Sequence, residues 1–293
     1  MLLHSKYRMN ISFYKYYDIH HPIKLRNIIY KSFIKLKILG RIYISHEGIN
    51  AQISISRKYL NILKIYLSKI HIMFKNIRLN RGLDNKIAFF SLKVKVRNKI
   101  VADGLHNNVF DYKNVGIYVK PIFVNNMLEN KQFIFVDMRN HYEYIIGHFK
   151  NAIHVPGFTF RDQLNGIVGF LEQYQSKKIV LYCTGGIRCE KATAWLKHNH
   201  FKYIYHIEGG ILNYVNTIRK RKLSMKFYGK NFVFDHRIAE KVSNHILSNC
   251  TICGELCDDY INCKNNLCHL LFIQCKQCFL IYNGYCSTFC KNC

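Results

Sequence analysis

The sequence has few acidic side chains and no long apolar segment. Its 293 residues include 17 aspartates and glutamates against 44 lysines and arginines, which gives a formal net charge of +27. No apolar run approaches the roughly 20 residues of a membrane-spanning helix, and residues 1–10 lack the apolar core of a secretory signal peptide. These absences argue against a membrane protein and a secreted protein, and we expect a soluble, cytoplasmic chain.

The shortage of negative charge predicts a polyanionic partner, most simply RNA. The chain is also rich in Lys, Ile, Asn and Tyr, which AT-rich codons encode, so drift in a biased genome accounts for part of the basicity. We therefore assign only part of the charge to function. We expect neither a membrane nor DNA as a partner, and the oligomeric state is left open.

Cysteine is scarce until residue 250. Only Cys183 and Cys189 precede that point, whereas ten cysteines fall within residues 250–293. In a cytoplasmic chain this density favours metal binding over disulfides. Two CxxC pairs, at residues 250–253 and 275–278, are separated by 21 residues, which is close to zinc-ribbon spacing.

The tail therefore predicts structural zinc, which would substitute for a core that so short a segment cannot build. Two zinc ions fit the number of candidate ligands, but the spacing does not reveal their pairing. The alternative is a set of reduced, buried cysteines without metal. The candidate ligands are Cys250, Cys253, Cys257, Cys263, Cys268, Cys275, Cys278, Cys286 and Cys290.

Residues 183–188 form the most informative motif. They follow the apolar run 178–182, which predicts a buried strand, and precede a segment with helical character at 190–198. Backbone N–H groups of a glycine-rich turn can surround an anion, and the helix dipole together with Arg188 would lower the pKa of the Cys183 thiol. The pattern predicts a nucleophilic thiolate; the alternative is a buried structural cysteine. The loop consists of Cys183, Thr184, Gly185, Gly186, Ile187 and Arg188.

The upstream sequence resembles the rhodanese fold over about residues 115–220. A strand ending in Asp137 and Arg139 is followed by Glu143 and by a Gly-His pair that contains His148. The resemblance implies an open parallel sheet with helices on both faces and a ligand site at the carboxyl ends of the strands. Related phosphatases have a loop one residue longer, so we interpret this loop as a rhodanese-type thiol site.

Four side chains around the loop receive supporting roles in this interpretation. We expect Asp137 and Arg139 to form a structural ion pair beneath the loop, with a direct catalytic role as the alternative. His148 is interpreted as a hydrogen-bonded histidine near the loop rather than a general base. Cys189 either packs in the first helical turn or acts as a resolving thiol.

The first hundred residues predict a ferredoxin-like α+β sandwich. The turn at residues 46–50 is interpreted as a polar hairpin turn, and the basic run 219–222 either is a solvated helix end or contacts phosphate. We divide the chain into an N-terminal domain (1–104), a rhodanese domain (115–224) and a cysteine-rich domain (225–293). The order β-α-β-β-α-β comes from strands at 11–19, 41–45, 51–56 and 88–96 and helices at 22–39 and 59–70.

Longer blocks resemble the bacterial tRNA wobble-uridine hydroxylase family across nearly the whole chain. That family has an acylphosphatase-like N-terminal domain, a rhodanese domain and a cysteine-rich tail. Its members can carry a further basic segment beyond the point matching Cys293, and we expect no RNA contact of that kind here. The matching blocks are EGIN at 47–50, KVKV at 93–96, IVADG at 100–104, DMRNHYE at 137–143, CTGGIRCEK at 183–191, GKNFVFD at 229–235 and CHLLFIQC at 268–275.

This resemblance implies a monooxygenase-type oxidoreductase that uses molecular oxygen to convert the wobble uridine of the tRNA anticodon loop to 5-hydroxyuridine. The family's essential cysteine corresponds to Cys183, for which we expect addition to uracil C6, with a persulfide as the rival chemical form. The alternatives are a rhodanese sulfurtransferase and a non-catalytic, zinc-containing RNA-binding protein. Active-site iron is disfavoured, because no His-x-Asp occurs and both His-x-Glu triplets lie inside rhodanese motifs.

Overall fold

The N-terminal sheet has five strands in a ferredoxin-like order with one addition. The computed structural model describes residues 7–105 and 109–292; residues 106–108 of the predicted linker (102–114) and Cys293 lie outside these ranges. The strand order is β4-β1-β3-β2-β5, which confirms the predicted sandwich. The elements are β1 (Arg8–Tyr16), α1 (Pro22–Lys35), β2 (Leu39–Ser45), β3 (Gly48–Ser56), α2 (Leu60–Ile70), β4 (Asn80–Arg81) and β5 (Leu92–Val96).

The strand predicted at 88–96 forms as β5, but the position in the sheet that we predicted for it is wrong. Strand β5 pairs in parallel with β2 at one edge of the sheet, whereas β4 takes the position next to β1 at the other edge. The cause is the length of β4: its two paired residues contain no alternation that a sequence pattern could reveal.

The two faces of this sheet have different neighbours. Met9, Ile11 and Phe13 of β1 belong to a core with residues of α1 and α2. Successive side chains of a strand point to opposite faces, so Asn10, Ser12 and the following even-numbered residues face away from those helices. That second face lies against the central part of the molecule.

The central sheet is entirely parallel, in the order β6-β11-β10-β7-β9. Ile179 and Leu181 of β10 pack with α5 and α6, whereas Val180 and Tyr182 pack with α3 and α7, so helices cover both faces as predicted. The elements are β6 (Ile117–Val119), α3 (Val124–Glu129), β7 (Phe133–Asp137), α4 (His141–Ile145), β9 (Ile153–His154), α5 (Phe160–Leu171), β10 (Lys178–Tyr182), α6 (Ile187–His198), β11 (Ile204–Ile207) and α7 (Gly210–Arg221).

The C-terminal part continues from the central one through an antiparallel sheet. Strand β12 (Phe227–Phe232) pairs with β8 (Gly147–Phe149) on one side and with β13 (Ala239–Lys241) on the other. Within the described ranges, no helix combines the length and apolarity needed to cross a bilayer. The cysteine-rich tail contains the hairpin β14 (Tyr260–Asn262) and β15 (Leu271–Ile273), followed by α8 (Lys276–Tyr282) and α9 (Thr288–Asn292).

A buried charge cluster joins the N-terminal sheet to α6. Lys191 is fully buried, and its Nζ lies 2.5 Å from Glu47 Oε2 and 2.5 Å from Asp103 Oδ2. The predicted hairpin turn joins β2 to β3 but is shorter than 46–50: it consists of His46 and Glu47, because β3 already begins at Gly48. Glu47 of this turn is only 2% exposed. This ion pair fixes the N-terminal sheet against the helix that follows the Cys183 loop.

Candidate active site

The Cys183 loop connects the end of β10 to the start of α6. Gly186 has a φ of +104°, a left-handed conformation that glycine adopts without strain. Its N–H donates to Cys183 Sγ at 3.1 Å. The first turn of α7 holds the loop from the other side, because the N–H groups of Ile211 and Leu212 donate to the carbonyls of Cys183 and Thr184.

This environment favours the thiolate form of Cys183. Burial alone would raise the pKa of the thiol, but a hydrogen bond from the Cys189 thiol, the positive charge of Arg188 and the N–H groups of Gly186 and Arg188 outweigh it and lower the pKa to about 5. The Cys189 thiol shows the opposite effect, because burial and the neighbouring Cys183 sulfur raise its pKa well above the usual value. Cys183 is thus an anion at neutral pH, and Cys189 remains a protonated donor.

Arg188 is held by Glu143 of α4. Arg188 Nη1 and Nη2 lie 2.6 Å and 3.0 Å from the two Glu143 carboxylate oxygens, a bidentate geometry, and Thr184 Oγ1 lies 3.5 Å from Glu143 Oε1. Both Arg188 and Glu143 are buried. The arginine therefore contributes a fixed positive charge beside the loop, and its fork is already paired with a carboxylate.

Asp137 and Arg139 form a second buried pair. Arg139 Nη2 lies 2.7 Å from Asp137 Oδ2, and both side chains are fully buried. Arg139 also donates to the carbonyl of Gly147. His148 Nδ1 donates to the Tyr144 carbonyl at 3.0 Å, and the imidazole stacks on the Tyr144 ring. Burial lowers the pKa of His148. These contacts are those of a structural ion pair and a hydrogen-bonded histidine.

Cys183 borders a cavity of about 370 Å³ that all three parts of the chain enclose. Cys183 itself is 0% exposed, so bulk water does not contact it, and the cavity is the space that adjoins it. The N-terminal sheet contributes one wall, which sequence reasoning missed. The lining on that side comes mainly from the face opposite α1 and α2, and includes Asn10, Ser12, Tyr14, Asn50 and Gln52.

Hydrogen bonds hold this wall against the loop. Asn80 Nδ2 of β4 donates to the Gly185 carbonyl at 3.2 Å, and the Tyr16 hydroxyl donates to the Ile187 carbonyl at 3.1 Å. The Tyr14 hydroxyl donates to Glu190 of α6 at 2.7 Å. Alternating polar and aromatic residues of β1 resemble a solvated strand face, so this wall could not be predicted from the sequence pattern.

A larger groove of about 810 Å³ adjoins the cavity and shares lining residues with it, including Arg41, Tyr43 and Phe234. Lys93 and Lys95 of β5 are both exposed and line this groove. Phe90 is 57% exposed and Phe234 is 45% exposed. Two other aromatic residues line neither space: Tyr182 is a fully buried core residue, and Phe158 is exposed elsewhere.

The tail brings eight cysteines together in two groups of four. In each group the four sulfur atoms lie within 4.8 Å of one another. Individual Sγ–Sγ distances are 3.7 Å between Cys253 and Cys275 and 3.9 Å between Cys268 and Cys286. The first group is Cys250, Cys253, Cys275 and Cys278, and the second is Cys263, Cys268, Cys286 and Cys290.

Each group could hold a metal ion, and its donor set suits zinc. Four thiolates about 2.3 Å from a tetrahedral zinc ion stand about 3.8 Å apart, close to the distances between these sulfur atoms. Cys257, a predicted candidate ligand, belongs to neither group and is buried. Its sulfur accepts a hydrogen bond from the Asp259 N–H at 3.5 Å.

Comparison with family models assigns all three parts of the chain. Residues 8–100 match the UPF0176 acylphosphatase-like domain. Residues 121–217 match the rhodanese-like domain, and residues 228–291 match the rhodanese C-terminal segment. The fold class predicted from the sequence is confirmed by these matches together with the sheets described above.

Curated relatives are similar over almost the full chain, and three of them are each named tRNA uridine(34) hydroxylase. The protein of Buchnera aphidicola subsp. Acyrthosiphon pisum (strain Tuc7) is 50% identical over 100% of this chain and 90% of its own length. That of Buchnera aphidicola subsp. Baizongia pistaciae (strain Bp) is 54% identical over 97% and 91%. That of Salmonella schwarzengrund (strain CVM19633) is 49% identical over 99% and 83%.

Proposed function

Because the chain belongs to the tRNA uridine(34) hydroxylase family, we propose that it hydroxylates uridine 34 of tRNA and that Cys183 is the nucleophile. The observation that supports this proposal most directly is the environment of Cys183. The pKa of its thiol is lowered to about 5, and the sulfur lies beside a cavity, out of contact with bulk water. We further propose 5-hydroxyuridine as the product, molecular oxygen as the co-substrate and a cytoplasmic location, where tRNA is found.

The first chemical step is addition of Cys183 Sγ to C6 of the uracil. The S–C6 bond forms as the electron pair of the C5–C6 double bond moves through C5 to O4, and C5 becomes nucleophilic. One atom of oxygen then goes to C5 and the other leaves as water, which requires two electrons from an external donor. Loss of the C5 proton and departure of the thiolate restore the double bond.

The position of Cys183 requires the base to leave the anticodon stack, since the sulfur is reached only through the cavity. Trapping tests the addition. A tRNA carrying 5-fluorouridine at position 34 keeps a fluorine where the C5 proton would leave, so a covalent complex should accumulate with the wild type and not with Cys183→Ala. Absence of a complex under turnover conditions contradicts the addition step.

The adjoining groove supports the anticodon loop as the partner. Single-stranded RNA is bound by cations along its backbone and by aromatic faces for its bases, and the groove offers both through Arg41, Lys93, Lys95, Phe90 and Phe234. Because it joins the Cys183 cavity, nucleotides beside uridine 34 would occupy it while the uracil enters the cavity.

Two double variants test whether the RNA binds along this groove. Lys93→Ala/Lys95→Ala should weaken tRNA binding and reduce the slope of log affinity against log salt by about 1.4, since each phosphate contact to single-stranded RNA contributes about 0.7. Lys64→Ala/Lys69→Ala removes the same charge from exposed positions of α2, on the other face of the sheet. Equal salt slopes for the two double variants would refute the groove as the RNA path.

We also propose that each group of four cysteines holds one structural zinc ion. The zinc would fix the hairpin β14–β15 and the helix α8, whose residues Phe279, Leu280 and Ile281 are exposed rather than packed in a core. All eight ligands lie in the tail, and the Cys183 loop contributes none.

The decisive experiment is nucleoside analysis by mass spectrometry. We would express the chain, or its Cys183→Ala variant, in a bacterium that lacks its own wobble-uridine hydroxylases, and digest its tRNA. Hydroxylated uridine or its derivatives should return with the wild type alone. Their absence with soluble wild-type protein would contradict the proposal and leave sulfur transfer as the leading reaction.

A further inference from the structure

Two side-chain polar atoms of β1, Asn10 Oδ1 and Ser12 Oγ, are buried without a hydrogen-bond partner. Both residues line the cavity together with Cys183. Across the described residues, the other buried side-chain atoms without a partner belong to residues outside this lining. Buried polar groups are normally paired, so two unpaired atoms on one wall indicate a ligand that pairs with them.

The chemistry of these two atoms is defined by their surroundings. Asn10 Nδ2 donates to the carbonyls of Asp84 and Lys86 at 3.3 Å and 3.0 Å, which fixes the orientation of the amide. Its Oδ1 is therefore an acceptor that faces away from those carbonyls. Ser12 Oγ belongs to the next side chain on the same face of β1, and a hydroxyl donates as well as accepts.

We propose that Asn10 and Ser12 recognise the Watson–Crick edge of the uracil, an inference that rests on the proposed function. Uracil presents one donor, N3–H, between two carbonyl acceptors. Asn10 Oδ1 accepts from N3–H, and the Ser12 hydroxyl donates to a neighbouring carbonyl. Cytosine has a bare acceptor at N3 and would place two acceptors against each other, so this wall selects uridine over cytidine.

Binding of short RNAs tests the selection apart from catalysis. The ligands are two anticodon stem-loops that differ only in uridine or cytidine at position 34, and the protein is the full chain with Cys183→Ser, which prevents turnover. We expect this parent to prefer the uridine stem-loop by about tenfold, since an unpaired buried polar group costs more than a hydrogen bond contributes. Equal affinity for the two stem-loops would overturn the inference.

Ser12→Ala in the same background should lower the affinity for the uridine stem-loop about fivefold. Its melting temperature should not fall, because the change removes a hydroxyl that has no partner in the free protein. The matched control is Ser56→Ala on β3, outside the cavity lining, which should keep the parent affinity. Asn10→Ala should lower the preference for uridine, because Asn10 Oδ1 is the atom that distinguishes the two bases, but it also releases the Asp84 and Lys86 carbonyls. The Ser12→Ala affinity is therefore the cleaner result.

The two possible failures are distinguishable. A parent that prefers uridine while the wild type forms no hydroxylated nucleoside contradicts the proposed function and supports the recognition site. A wild type that hydroxylates uridine 34 while Ser12→Ala keeps the full affinity for the uridine stem-loop contradicts the recognition site alone. A Ser56→Ala variant that loses as much affinity as Ser12→Ala would also refute it.

Discussion

Replacing Cys189 by alanine should change the acidity of Cys183. Among the causes that lower the pKa of Cys183, a hydrogen bond from the neighbouring Cys189 thiol is the largest. A hydrogen bond to a charged group is worth about 1.5 to 3 kcal/mol. Because about 1.4 kcal/mol corresponds to a tenfold change in acidity, losing this donor should raise the pH of half-ionisation by roughly one to two pH units.

The assay is the pH dependence of alkylation at Cys183. Iodoacetamide reacts with the thiolate, and mass spectrometry of the peptide containing Cys183 separates this site from the tail cysteines. The wild-type rate should be constant above pH 6 and fall as the pH approaches about 5, where the thiolate takes up a proton. In Cys189→Ala the fall should begin at a higher pH.

Cys189→Ser is the matched control, because its hydroxyl retains a donor at nearly the same position. It should keep the wild-type profile far more closely than Cys189→Ala does. Identical pH profiles for the wild type and Cys189→Ala would show that the loop N–H groups and Arg188 suffice to lower the pKa of Cys183. Equal shifts of the profile in Cys189→Ala and Cys189→Ser would show that packing at residue 189, rather than a hydrogen bond from it, controls this pKa.

Two further predictions concern the buried cation and the tail. Lys191→Met removes the buried cation that Glu47 and Asp103 share, although Asp103 keeps its ion pair with Lys99. Thermal unfolding should therefore show a loss of about 3 to 5 kcal/mol in the free energy of unfolding; an unchanged melting temperature would contradict the buried cluster. Elemental analysis should find two zinc ions per chain, falling to one in Cys278→Ser, whereas Cys257→Ser should keep both. Loss of a zinc ion in Cys257→Ser would contradict the two groups of four.

The strands of the central sheet were predictable because they are buried on both faces. A strand covered by helices on each side is a short continuous apolar run, and residues 178–182 form β10 with the bounds that the run suggested. The same reasoning fails for β4, since Asn80 and Arg81 pair with β1 without an apolar pattern of their own.

The pairing of the tail cysteines could not be predicted from spacing. The two groups interleave along the chain: two cysteines of the first group are followed by two of the second, and this order is then repeated. The hairpin β14–β15 folds the chain back between these pairs. Cysteine spacing predicts the local CxxC turns. Which two cysteine pairs share a metal site depends on how the hairpin brings distant segments together.

The N-terminal sheet explains how a rhodanese-type loop can act on a base rather than on a small anion. The loop itself supplies the thiolate and its N–H groups, and a loop of this kind open to water would admit any small electrophile. Here the polar face of β1 covers it, so that Cys183 is reached only through a cavity with a polar wall and an adjoining groove. In the proposed reaction we therefore expect selectivity for a nucleobase to depend on the contact between the N-terminal sheet and the loop, which the buried Lys191 ion pairs fix in place.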